Sequence, residues 1–186
     1  MFGDDPALSR AIFRAVSAAL SLPPEEASSQ ILQAYTSPPP PQTERERNLC
    51  FYHLAPDITF PLLRETTVRS GQMDIYRFIP YQLFLVFYGA DAESWALRCR
   101  ENLFQDGAAH PLGILRKAGL YLIPPAAPPA VFWEESDSLY RKRADLVLSV
   151  RLLDNTDAPS SPHPSPSQET VSVPPEVILR TEHKLT

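Results

Sequence analysis

The placement of proline constrains the fold of this chain more than any other sequence feature. There are 21 prolines but only six glycines among 186 residues. Proline fixes φ and has no N–H to donate, so it ends helices and is excluded from the paired interior of a sheet. The clusters therefore divide the chain into short elements. They lie at Pro23-Pro24, residues 38–41, Pro124-Pro125, Pro128-Pro129, residues 159–166 and Pro174-Pro175.

Two segments are predicted to be amphipathic helices. In residues 5–20, Asp5 is suited to cap the helix and Pro6 to occupy its first position. The second helix is expected to begin after Asp91 and to end near Phe104. The apolar faces are Leu8, Ile12, Phe13, Val16 and Leu20 in the first helix, and Ala92, Trp95, Ala96, Cys99 and Leu103 in the second. Residues 25–34 fit a short helix, and residues 31–36 fit a strand equally well.

Alternating or continuous apolar patterns predict the strands. They lie at residues 48–54, 62–69, 73–88 and 143–152, with shorter strands at 119–123 and 131–133. The segment 73–88 fits one long strand or a broken pair. Pro80 falls inside it and must occupy a bulge, a kink or an unpaired edge position, because it cannot donate to a neighbouring strand.

Residues 81–88 form a strand that is apolar on both faces. Such a strand must be covered on both sides, either by helices of its own chain or by a neighbouring subunit. We therefore predict that it contributes to a subunit interface. The candidate interface residues are Tyr81, Leu83, Phe84, Leu85, Val86, Phe87 and Tyr88.

Together these elements predict an α+β domain over residues 1–153. We expect one antiparallel sheet of about four to six strands, packed with the N-terminal helix and the central helix. Residues 154–168 are rich in proline and serine and predict a flexible linker. Residues 169–186 predict an extended C-terminal arm that adds a strand to another chain, with a frayed tail as the equal alternative. The arm's candidate interface residues are Val171, Val173, Val177, Ile178 and Leu179.

The residues that usually carry catalysis or metal binding form no recognisable constellation in this sequence. No nucleophile elbow, phosphate-binding loop, dinucleotide-binding motif or zinc-binding helix motif is present. The four histidines are scattered, and the two cysteines, Cys50 and Cys99, lie among apolar residues as expected of buried free thiols. We expect no enzymatic activity, no metal and no cofactor.

The charge and the hydropathy of the chain limit the partners that it is expected to bind. A net charge of −5 argues against wrapping nucleic acid by neutralising its phosphates. The acidic N-terminus has no signal-peptide pattern, and the longest apolar run is too short to cross a bilayer. We therefore expect no membrane partner.

The strand that leads through Gly89 into the central helix resembles the neck and tail terminator (tail-completion) proteins of tailed bacteriophages. The resemblance lies in residues 77–89, in Asp91-Ala92 and in the helix with Trp95-Ala96 and Arg98. The strand at 141–151 is similar to the last core strand of that family. The element order also matches over residues 5–153, whereas the proline-rich insert at 37–47 and the C-terminal extension depart from the family.

The resemblance implies a structural virion protein, assembled in the host cytoplasm, in the neck or tail. It implies a homo-oligomeric ring, commonly hexameric, that caps the tail tube and joins it to the connector at the head. The implied partners are the tail tube protein and the neck or connector protein, with the sheath protein as a further candidate. DNA would pass through without specific binding. Residues 70–72 predict a turn between the strands at 62–69 and 73–88, and acids near this hairpin are candidates for lining the lumen: Asp57, Glu65 and Asp74.

Two alternatives to a terminator ring remain open from the sequence. One is another tail subunit of similar fold, in the tube or at the attachment of the sheath. The other is a non-viral adaptor whose arm adds a strand to the sheet of a partner.

Overall fold

A computed structural model describes residues 5–34, 47–59, 63–69, 72–124, 126–136 and 139–154. For residues 63–69, 72–76, 136 and 139 the description covers the backbone alone. All of these residues belong to one unit, Met1–Thr156, and none lies in the second unit, Asp157–Thr186. The predicted arm and most of the predicted linker therefore fall outside the described residues.

The described residues form four helices and seven strands. The helices are α1 (Pro6–Leu20), α2 (Pro24–Gln30), α3 (Ala92–Asn102) and α4 (Pro111–Lys117). The strands are β1 (Ile31–Gln33), β2 (Leu49–Pro56), β3 (Leu63–Arg69), β4 (Gln72–Tyr88), β5 (Leu120–Leu122), β6 (Ala130–Ser136) and β7 (Leu139–Asp154). None of these helices is long and apolar enough to cross a membrane.

All seven strands belong to one sheet, so the predicted α+β class is confirmed. The order through its middle is β1-β2-β4-β7-β5, while β3 pairs with β4 and β6 with β7. The sheet has one strand more than the upper end of the predicted range. It is also not purely antiparallel, because β1 runs parallel to β2. Residues 25–34 contain both of the elements that the sequence left open, since helix α2 leads directly into strand β1.

The two longest strands, β4 and β7, organise the sheet. They pair antiparallel over twelve positions, from Arg77 opposite Asp154 to Tyr88 opposite Arg143. The first residues of β4 extend beyond this pairing and form a hairpin with β3. The first residues of β7 extend beyond the opposite end and form a hairpin with β6. Two hairpins therefore project from opposite ends of the central pair.

Pro80 lies in the middle of β4 at a position where its missing N–H is not needed. Strand β2 pairs with residues 81–88 of β4, and β3 pairs with residues 72–78 along the same edge. Pro80 falls between the two, where its carbonyl oxygen accepts a hydrogen bond from the Asp57 N–H at 3.0 Å. The predicted unpaired edge position is thus a gap between two consecutive strands.

Helices α1, α3 and α4 cover one side of the sheet and close the hydrophobic core. Helix α1 begins as the sequence predicts, because the Asp5 carboxylate accepts a hydrogen bond from the Ala7 N–H at 2.7 Å. Its buried face includes Ile12, Val16 and Leu20. The Asn102 side chain donates to the Ala19 carbonyl oxygen at 2.8 Å and ties α3 to α1.

A sharp turn at Gly89 joins β4 to α3. Its φ is +114°, a backbone conformation that residues with a side chain rarely adopt. Asp91 precedes the helix as predicted, but its carboxylate makes no capping bond to the helix. That carboxylate instead accepts a hydrogen bond from the Asn48 amide at 2.8 Å, and the Asp91 N–H donates to the Asn48 side-chain oxygen at 3.1 Å. The turn is therefore fastened to the start of β2.

Candidate interaction surfaces

The side of the sheet that faces away from the helices carries a group of apolar side chains that the described residues do not cover. Alternation along the strands directs five half-buried or exposed side chains to this side, which we call the open face: Phe51, His53, Phe84, Val86 and Val147. The imidazole of His53 stacks on the ring of Phe84 with centroids 6.3 Å apart. Val147, the one apolar residue that breaks the alternation of β7, lies here and is 40% exposed.

The predicted interface residues of β4 separate into two groups. Tyr81, Leu83, Leu85 and Phe87 are at most 3% exposed and belong to the core beneath the helices. They cannot contact another subunit while the helices remain in place. Phe84, Val86 and Tyr88 point to the opposite side, so only these three are available to a neighbour. The remaining predicted interface residues, Val171, Val173, Val177, Ile178 and Leu179, lie outside the described residues.

The open face is concave. It borders an open cavity of about 520 Å³ between strands β2, β4 and β7. Besides the five residues of the open face, Arg143 and Asp145 contribute polar groups to its wall. Ligand or side-chain pockets of this size are commonly lined by apolar groups with a few polar groups for orientation. The cavity can therefore accept large apolar side chains.

A charged and aromatic cluster borders one end of this cavity. The Arg143 guanidinium donates to the Asp145 carboxylate at 2.7 and 2.8 Å and to Glu134 at 3.3 Å. It also lies over the rings of Phe132 and Tyr88, at 4.9 and 5.7 Å from the centroids. The bidentate contact with Asp145 raises the pKa of Arg143. Burial is the largest cause that raises the pKa of Tyr88 to about 12.

The three basic residues at 141–143 each contact a neighbouring side chain. Arg141 lies over the Tyr88 ring at 4.9 Å, on the same side of the sheet as Arg143. Lys142 points to the helix side and contacts Glu93 of α3 at 2.8 Å. Each of the three cations thus has a defined contact, and together they brace the start of β7 against β4 and α3.

A second apolar surface, which was not predicted from the sequence, lies on the hairpin of β6 and β7. Val131, Trp133 and Tyr140 are 43%, 65% and 70% exposed. The register places Val131 opposite Ala144 and Trp133 opposite Lys142, so all three point to the helix side of the sheet. We call them the hairpin patch. A signal was present, because Val131, Phe132 and Trp133 are consecutive apolar residues, but it does not show that the hairpin extends beyond β4.

The structure describes the side chain of only one of the three candidate lumen acids, Asp57. Asp57 is only 6% exposed. Its carboxylate accepts hydrogen bonds from the Thr59 N–H at 3.0 Å, the Thr59 hydroxyl at 2.5 Å and the Gln82 amide at 3.0 Å. It therefore closes the turn after β2 and does not present its charge to a channel. Glu65 and Asp74 lie on β3 and β4, where the description covers the backbone alone.

Asp57→Asn is expected to destabilise the domain at neutral pH and much less at acidic pH. The Thr59 hydroxyl is the largest cause that lowers the pKa of Asp57 below its ordinary value of 3.8. A carboxyl group with a lowered pKa in the folded state stabilises the protein above its unfolded pKa, and this contribution is lost as the pH falls through the folded value. Urea unfolding at pH 7, 5 and 3 measures the effect. A wild-type-to-variant difference that is the same at all three pH values would contradict it.

The described residues contain no group of three or more histidine, cysteine or acidic side chains that could hold a metal ion. Cys50 and Cys99 are free and fully buried, as predicted. Burial raises the pKa of both thiols, so neither is a reactive nucleophile. His163 and His183 lie outside the described residues. Within the part of the chain that the structure describes, the candidate surfaces are the open face and the hairpin patch.

No protein-family model matches this chain, and a search of the curated proteins found no match.

Proposed function

We propose that this protein is a structural subunit of a phage tail: a ring-forming terminator or neck protein that caps the tail tube and joins it to the head connector. The observation that carries the proposal is the open face. Helices cover one side of the sheet, while apolar side chains of β2, β4 and β7 stay half-buried on the other. A monomer gains no stability from leaving these side chains in water, whereas a subunit of an assembly buries them against its neighbour.

A closed ring is the assembly that this role requires. Rings form from head-to-tail contacts between two different surfaces of the same subunit, provided that the rotation closes. The proposed number of subunits is six, as the resemblance implies. The ring would contact the tail tube protein on one side and the neck or connector protein on the other, with the sheath protein as a further candidate. This role places the protein in the virion, after assembly in the host cytoplasm.

The charge of the chain fits a channel through which DNA moves. A net charge of −5 provides no excess of cations to hold phosphates, so DNA could pass without being retained. Glu65 and Asp74 stay the candidates for lining the channel, since Asp57 has its carboxylate engaged in a turn.

Light scattering over a concentration series tests the proposal. The wild-type protein is expected to give one discrete species with about six subunits, and electron microscopy is expected to show a ring with a central hole. Phe84→Thr combined with Val147→Lys is expected to give a monomer, because it places polar groups on the open face. Ile58→Ser is the matched control. Ile58 is 94% exposed and lies on neither surface, so its loss should leave the ring intact.

The same measurement separates the proposal from its alternatives. Stacks that lengthen with concentration would indicate a tube subunit, because a terminator stops at one ring. A monomer at every concentration would contradict a self-closing ring and would favour the adaptor alternative.

A further inference from the structure

The hairpin patch and the open face lie on opposite sides of one sheet. In β7, Tyr140 and Lys142 share the side of the buried residues Ala144 and Leu146, whereas Arg143, Asp145 and Val147 share the other. Pairing carries the same division into β6. A single subunit therefore cannot bring its own hairpin patch onto its own open face, because the sheet lies between them.

The hairpin patch lies on a projecting hairpin, whereas the open face borders a cavity. The hairpin of β6 and β7 projects beyond the last residue of β4, since Tyr88 pairs with Arg143 and residues 139–142 have no partner in β4. Its side chains Trp133 and Tyr140 are 65% and 70% exposed. The open face is a concavity of about 520 Å³ lined by apolar side chains. Aromatic anchors that fill an apolar pocket of the partner carry most of the binding energy of typical interfaces.

We propose that the hairpin patch of one copy inserts into the open face of the next copy, so that Trp133 and Tyr140 contact Phe84 and Val147 of a second molecule of this chain. The molecule that fills the open face is a second copy of this chain. Each copy carries both surfaces, and its own sheet keeps them apart. A contact between two different patches is head-to-tail and leaves one unused patch at each end of a dimer. This inference rests on the proposed ring and specifies how its subunits meet.

The exposed area fits the centre of an interface that forms between one pair of copies and becomes stronger in a closed ring. A fully buried aromatic side chain removes roughly 150–250 Å² from water, so the exposed parts of Trp133 and Tyr140 leave roughly 200–300 Å² to be covered. A standard interface buries about 800 Å² on each partner. The two aromatic side chains would therefore form the centre of the interface and not the whole of it. Closing the ring makes the last contact intramolecular and favours complete rings over short chains.

A mixing experiment tests this arrangement. One variant, Trp133→Thr with Tyr140→Thr, loses the hairpin patch but keeps residues that favour strands. The other, Phe84→Thr with Val147→Lys, loses the open face. Each variant alone is expected to be monomeric, with self-association weakened at least tenfold. A 1:1 mixture is expected to form dimers that grow no further, because each dimer has one intact contact and two disabled surfaces.

Cross-linking provides a second readout, because it captures the contact covalently. Glu135→Cys, which keeps Trp133 in place, and Val147→Cys are prepared separately, mixed and treated with a short bismaleimide. The native thiols of Cys50 and Cys99 are buried and do not react. The mixture is expected to give a covalent dimer that neither variant gives alone. Circular dichroism and thermal melting of every variant confirm that the fold is retained.

The outcomes distinguish this inference from the proposed function. If the hairpin variant still forms the ring, or if the two monomeric variants form no dimer on mixing, the inference is overturned and the ring remains. If the mixture forms dimers but the wild type grows into open polymers, the contact stands and the terminator ring is overturned. A wild-type monomer at every concentration overturns both.

Discussion

Leu85→Ala is expected to lower the free energy of unfolding by about 2–5 kcal/mol, because it removes a fully buried side chain and leaves a cavity. Leu85 is 0% exposed and lies in β4 beneath the helices. Chemical unfolding of the full chain at low protein concentration measures the loss, since dilution separates the stability of the fold from that of an assembly.

Phe84→Ala is the matched control for this prediction. Phe84 is the preceding residue in the same strand but points to the open face, where it stacks on His53. Its removal is expected to cost only about 1 kcal/mol of stability, the scale of a cross-strand pair, while weakening self-association. If Phe84→Ala proved as destabilising as Leu85→Ala in dilute solution, the open face would have to be part of the monomer core.

Gly89→Ala is expected to destabilise the protein by about 2–3 kcal/mol, since its backbone conformation is strained for any residue with a side chain. Its φ is +114°, and an added Cβ would lie 2.9 Å from the Arg47 carbonyl oxygen and would also contact the Asn48 side chain. The substitution would therefore disturb the Asn48–Asp91 contacts that fasten the turn. Thermal or urea unfolding measures the cost.

Gly119→Ala separates the cost of backbone strain from the cost of a steric clash. Gly119 also has a positive φ, +79°, but the nearest atom to an added Cβ is Leu153 Cβ at 3.6 Å, an ordinary contact distance. This variant is expected to lose about 1 kcal/mol, the cost of the left-handed conformation alone. Equal losses for the two glycine variants would show that crowding near Asn48 contributes nothing.

Local sequence patterns predicted the elements of this fold well, because each is specified within a few residues. The alternation of Leu146, Leu148 and Val150 defines β7, and Asp5 with Pro6 defines the start of α1. Pro80 requires a position where no backbone N–H has to be donated, and the gap between β2 and β3 is such a position. Periodicity could not show that the described helices would cover only one side of the sheet, because that depends on where the helices pack.

The candidate surfaces were predicted only in part for the same reason. Phe84 and Leu85 look equally apolar in sequence, and only the placement of the helices assigns one to the surface and the other to the core. Trp133 and Tyr140 belong to the surface because the hairpin extends past β4, which depends on a register between distant strands. Asp57 was a candidate for a channel because nothing local shows that Thr59 and Gln82 bind its carboxylate.

The register between β4 and β7 also has a consequence for the order in which this chain folds. The two hairpins join neighbouring segments, and hairpins of that kind form within about 1–10 μs. The twelve pairs between β4 and β7 instead close a loop that contains α3, α4, β5 and β6, so their formation must wait for distant segments to meet. Folds dominated by such non-local pairs reach the native state slowly. Until β7 arrives, an edge of β4 rich in aromatic residues is unpaired, and during that interval a nascent chain is most exposed to mispairing with other chains.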